Sequence, residues 1–263
     1  MFLAAPLAPR ARLRIPPIAT WLLLSANLAV AAWTATQTRA LDVERAQAAA
    51  RFGTAATDEA PRLHAVRGAA LGAELAAITA RDPIEALGYR TGGAESNAVS
   101  ALFLHVSAAH VLLNTVALAA TGACLEQAWG AAAVLGLFLG AGAFGIAFDA
   151  RLAPPALLVG SSAGVAALLG ACFVRFRHRR LPFGFVHLEY LRPRFGSFQI
   201  AVPVVGCAWL AVQSAGAFAD AVCGDSGVAF VSHLAGAGLG IAAALGAEAV
   251  QRLRRPIQAA QLP

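Results

Sequence analysis

The residues able to do chemistry in this chain are few, and they fall inside its most apolar stretches. "LVGSSAGVAALLGA", residues 158–171, carries Ser161 and Ser162; "HVSAAHVLLN", residues 105–114, carries His105, His110 and Asn114; "SHLAGAGLG", residues 232–240, carries Ser232 and His233. A serine hydroxyl beside an imidazole is the pairing of a base-activated nucleophile. An asparagine amide and a second imidazole can donate hydrogen bonds to the oxyanion such a nucleophile generates. Each residue also has a plainer role open to it. A serine among small residues bonds back to its own helix backbone, and an intramembrane histidine can simply tie helices together. The G-x-S-x-G string at 160–164 has its hydrolase meaning only at a strand-turn-helix junction, which a continuous apolar helix would not provide.

The elements that must position these side chains are transmembrane helices. Of 263 residues 59% are hydrophobic and 13% charged, far from the balance of a soluble domain. The apolar residues gather into six blocks, at about 17–36, 99–121, 131–149, 157–174, 198–218 and 228–248, each near the length needed to cross a bilayer. The expected class is therefore all-α: a polytopic bundle of six transmembrane helices. The net charge of +6 does not require a nucleic-acid partner, because its distribution follows membrane topology. With the N-terminus cytoplasmic, twelve arginines, including Arg10, Arg12, Arg14, Arg254 and Arg255, face only Glu126, Glu189 and Glu248 on the inner side. Both termini are expected in the cytoplasm. The domains then read as an N-terminal segment 1–16, a membrane domain 17–250 with a long outer loop 37–98, and a tail 251–263.

Under this topology blocks 2, 4 and 6 run in the same sense, and their polar residues share a layer roughly 5 to 20 Å below the outer surface. His110 and Asn114 are i and i+4 on one face, with His105 about a turn further out. Gly160, Gly164 and Gly170 in block 4, and Gly236 and Gly240 in block 6, suit close helix packing that would bring a serine near a histidine. The outer loop has helix-forming stretches expected to lie on the membrane surface, and the basic, aromatic segment 175–197 is expected as a cytoplasmic loop. The four cysteines lack metal-type spacing and only Cys223 is expected on the outer side, so no disulfide is expected; no metal or other cofactor is expected either.

Taken in order, "HVSAAHVLLN", "GSSAGVAALLGA" and "SHLAGAGLG" resemble the corresponding helices of rhomboid intramembrane serine proteases over about residues 99–245. The family's histidine-asparagine pattern is met by His105, His110 and Asn114, and "GACLEQAWG" resembles its glycine-acid-glycine turn at Gly122, Glu126 and Gly130. Its G-x-S-G is met by Gly160 and Ser162, with Ala163 where glycine is usual. The nearest counterpart of its Trp-Arg pair is Tyr89-Arg90.

The resemblance implies a serine endopeptidase with Ser162 as nucleophile and His233 as general base and acid. It also implies His110 and Asn114 at the oxyanion, a structural or water-retaining role for His105, and single-pass transmembrane proteins as substrates. By the same analogy Phe198, Trp209 and Phe218 on helix 5, with the loop 220–227, would form a moving entrance. Ser161 would keep the backbone-bonding role. The rival readings are a catalytically silent rhomboid-like protein that binds transmembrane clients, and a small transporter, which the absence of internal repeats disfavours. The Ala- and Arg-rich composition suggests a bacterial cytoplasmic membrane.

Overall fold

The computed structural model describes residues 2–6, 15–54, 61–152, 157–189, 192–224 and 226–259. Strand β1 spans Phe2–Pro6, and helices α1 (Ile18–Thr54), α2 (Pro61–Ala80), α3 (Pro83–Leu87) and α4 (Asn97–Ser100) follow. After a 3-10 turn at Ala101–Phe103 come α5 (Ala108–Trp129) and α6 (Ala131–Gly136), the latter joined by a π turn at Leu137–Ala141 to α7 (Gly142–Leu152). Helix α8 (Ser162–Arg175), strands β2 (Arg180–Glu189) and β3 (Arg192–Ala201), and helices α9 (Val202–Cys223) and α10 (Phe230–Ala259) complete the order.

The structure is mostly helical, an all-α polytopic bundle with one small sheet. Among the described residues, five helical stretches are long and apolar enough to cross a membrane: Ile18–Arg51, Ala108–Trp129, Ala131–Leu152, Val202–Cys223 and Phe230–Leu253. A helix of 22 residues reaches about 33 Å, matching the hydrocarbon thickness. The exposed faces of these helices are themselves apolar, as at Leu113, Val116, Val212 and Phe218, the pattern of a lipid-facing surface.

Block 4 departs from the sequence expectation of a sixth full span. Its helix α8 has 14 residues, roughly 21 Å, and most of its side chains are buried. It is the hub of the bundle, packed against α5, α7, α9, α10 and the π turn. Where α8 meets α10, a Cβ on Gly236 would lie 2.3 Å from the Ala163 carbonyl oxygen, so these backbones touch in a way only glycine permits. Gly240 and Gly170 extend the same seam. Gly164 does not belong to it: it faces Phe138 and Gly142 of the π turn and α7.

Other boundaries also moved. Block 2 is not one helix: α4 and the 3-10 turn are followed by a non-helical stretch at 104–107, and its long helix α5 begins at Ala108, where Ser107 caps it by accepting the His110 N–H at 3.2 Å. Residues 37–54 continue α1 without a break, and α2 packs back along that extension. The sequence had them as short helices lying flat on the membrane. The expected loop 175–197 is largely the β2–β3 hairpin, to which β1 adds an antiparallel strand. Its alternating aromatics stack across strands, with Phe183 and Phe198 rings 5.6 Å apart. Phe198 is thus a strand residue and not part of α9, while Trp209 and Phe218 are on α9. α10 runs through 251–259, so the expected tail is mainly helical. Arg10, Arg12 and Arg14 lie outside the described residues, as do 260–263.

A buried carboxylate fastens one side of the bundle. Glu126 accepts the Ala19 and Thr20 N–H groups at 2.8 and 2.9 Å and the Thr20 hydroxyl at 2.8 Å, tying the start of α1 to the end of α5. Gly122 leaves room for Thr20 in the same contact, and Gly130 then ends α5 at φ 83°.

Candidate active site

Three segments converge on Ser162. The first is the approach to α8, which is extended: Leu158 exchanges backbone hydrogen bonds with Tyr89, and Gly160 N–H donates to Ala101 O at 2.8 Å. Gly160 then turns with φ +124° and Ser161 takes the N-cap position without a side-chain capping bond, so Ser162 is the first residue of α8. An extended stretch, a turn and a helix are the local context that the sequence reading denied to this serine. Only glycine serves at 160, since a Cβ there would lie 2.6 Å from His110 Cε1 and 3.7 Å from Ser162 Oγ. Gly160 therefore opens the space between His110 and Ser162, and does not pack α8 on α10 as expected.

The second segment is the start of α5. His110 and Asn114 share its inner face; His110 is half-buried, Asn114 is buried, and Asn114 Nδ2 has no hydrogen-bond partner among the described residues. A buried amide donor without an acceptor is costly, and so is informative about what the site awaits. His105 precedes the helix on a non-helical stretch, not a turn further along it. Its Nδ1–H donates to Phe103 O and its Nε2 accepts from Ser161 Oγ, both at 3.2 Å, and its ring meets that of His110 edge-on with centroids 5.0 Å apart. Ser161 is thus spent on His105 and does not bond back to its own helix.

The third segment is the first turn of α10. His233 is half-buried, and Gly236, three residues on, is the glycine that rests on Ala163. Ser162 and His233 consequently stand at the ends of two backbones in direct contact. The Ser162 hydroxyl itself makes no hydrogen bond among the described residues.

Two supporting residues escaped the sequence reading. Asp149, at the end of α7, accepts the Ser232 N–H at 3.0 Å and its hydroxyl at 2.6 Å, which fixes the start of α10. Gln213 of α9 places Oε1 2.8 Å from His233 Nδ1. Asp149 is the one polar side chain of block 3, and Gln213 is one of three in block 5 with Gln199 and Ser214, so both carry the same intramembrane signal as the polar residues of blocks 2, 4 and 6. Tyr89 is buried and buttresses the approach to Ser162, its hydroxyl donating to Glu95, while Arg90 pairs with Glu85.

The Ser162 hydroxyl and the His110 ring flank the space left at Gly160, the half-buried His233 lies on the turn of α10 that abuts α8, and Asn114, one turn from His110, brings a buried amide. The helix N-terminus adds N–H groups with no intrahelical acceptor and the positive end of its dipole. Compared with known proteins, residues 94–247 match the family model described as the Rhomboid domain. No curated protein and no solved structure matches the chain.

Proposed function

The chain belongs to the rhomboid family and is an integral, multi-pass membrane protein; on that premise we propose that it is an intramembrane serine endopeptidase, with Ser162 as nucleophile and His233 as general base. The observation that carries this reading is the contact of Gly236 with Ala163, which brings together the helix ends bearing the two side chains.

As Ser162 Oγ adds to the scissile carbonyl carbon, His233 Nε2 takes its proton and the carbonyl electron pair moves onto oxygen. The N–H groups opening α8, Asn114 Nδ2 and the His110 ring are the donors for that oxyanion. Asn114 supports this role because its buried donor has no other partner. Collapse of the intermediate breaks the C–N bond, and His233 passes its proton to the departing amine. Water then repeats the addition to free the acyl group. His105 acts through Ser161, holding the turn before the nucleophile.

The substrates in this reading are single-pass transmembrane proteins whose helix loosens near the outer face, because a hydrogen-bonded helix shields its carbonyls. Both termini are cytoplasmic and the setting is a bacterial inner membrane. The test is cleavage of a model transmembrane substrate in liposomes. Ser162→Ala and His233→Ala should each abolish it; cleavage surviving in either overturns the dyad, and a wild type that cleaves nothing while still binding transmembrane helices favours the silent client-binding reading.

A further inference from the structure

His233 has a partner on each side, and both come from the same helix pair. The acceptor Gln213 Oε1 lies 2.8 Å from Nδ1, so Nδ1 carries the proton of the neutral ring and Nε2 presents its lone pair. Phe230 meets the His233 ring edge-on at 6.3 Å, and is seated over α9 where Gly216 has no side chain: a Cβ there would lie 2.5 Å from Phe230 Cζ. Gln213 and Gly216 are thus one turn apart on α9, facing His233 and Phe230, one turn apart on α10.

The placement of Gln213 is not a by-product of burial. α9 is the least buried of the five spans, with 17% of its apolar window inside the protein. Its buried residues are Val202, Gly206 and Gln213, spaced to fall on a single face. An amide on that face is expensive unless it is used, and the hydrogen bond it makes is to the base.

We propose that Gln213 is the positioning residue of His233, completing a Ser162–His233–Gln213 relay in which the amide oxygen fixes the tautomer and the tilt of the imidazole. This rests on the reading of His233 as the base. A histidine serving as base toward Ser162 must keep Nε2 unprotonated, and an acceptor at Nδ1 enforces that state before any substrate binds. The same bond strengthens when the ring becomes an imidazolium, because Nδ1–H then donates with a full charge behind it. A neutral amide achieves this without an intramembrane carboxylate. It also makes the readiness of the base depend on the seating of α9 against α10.

The experiment uses the full-length protein in liposomes or detergent, with Gln213→Leu and Gln213→Glu beside the wild type and Ser162→Ala. Gln213→Leu should lower kcat about 10–100-fold with KM changed less than about twofold. Gln213→Glu, which retains an acceptor oxygen, should recover most of the loss. Histidine 15N NMR should show His233 protonated at Nδ1 in the wild type and a mixture of tautomers in Gln213→Leu. Wild-type kcat in Gln213→Leu, or an unchanged tautomer there, overturns the assignment. The tautomer is read without turnover, so it decides the matter even if the protein cleaves no test substrate, in which case the protease reading fails separately.

Discussion

Ser161 Oγ and His105 Nε2 lie 3.2 Å apart in a buried contact that joins the turn before α8 to the stretch before α5. This contact separates two serines that the sequence sets side by side. Ser161→Ala should therefore retain cleavage within a few-fold of wild type and lose about 1 kcal/mol of stability, the net worth of one hydrogen bond. Parallel cleavage assays and thermal unfolding in detergent check both parts. Abolished cleavage in a folded Ser161→Ala protein would reverse the roles of the two serines.

Gly160→Ala carries a double cost, since φ +124° is poorly tolerated by alanine and the new methyl meets the His110 ring. Strain of this kind is of order 1–3 kcal/mol, so cleavage should fall about fivefold or more. The fall should appear in kcat at temperatures where circular dichroism shows the helices intact. Full activity would mean that the approach to Ser162 is more pliant than its geometry implies.

Asp149→Ala strips acceptors from a buried N–H and a buried hydroxyl at Ser232, the residue before His233. Leaving both unsatisfied should cost about 2–4 kcal/mol and lower Tm. Asp149→Asn keeps one acceptor oxygen and should cost less. Equal Tm values for both variants and the wild type would remove Asp149 as the anchor of α10.

Glu126→Ala should also destabilise by about 2–4 kcal/mol, because three donors at the start of α1 lose their acceptor. It sits on the last turn of α5, away from the serine, so kcat should stay close to wild type below the unfolding transition. A loss of kcat without a loss of Tm would show coupling between α1 and the site.

Much of the site was legible because its rules are local. His110 and Asn114 share a face by helical pitch alone, and six apolar blocks with their polar exceptions follow from composition along the chain. The hairpin is not legible from sequence although Phe183 and Phe185 alternate, because its basic residues suit a membrane-surface loop equally well. β1 pairs with β2 from about 180 residues away, which no local pattern signals.

By itself the sequence determined that this chain lives in a membrane and which blocks hold polar residue types able to do chemistry, because hydrophobicity and pitch are properties of neighbouring residues. Only the tertiary structure decided where those blocks begin and what their polar groups touch. Helix α8 starts at Ser162 because Leu158 pairs with Tyr89 and Gly160 donates to Ala101, partners brought from 59 and more residues away. His105 took Ser161, Asp149 took Ser232 and Gln213 took His233 through contacts between helices. A buried polar group must find its partner wherever packing supplies one, and packing is settled by the whole fold.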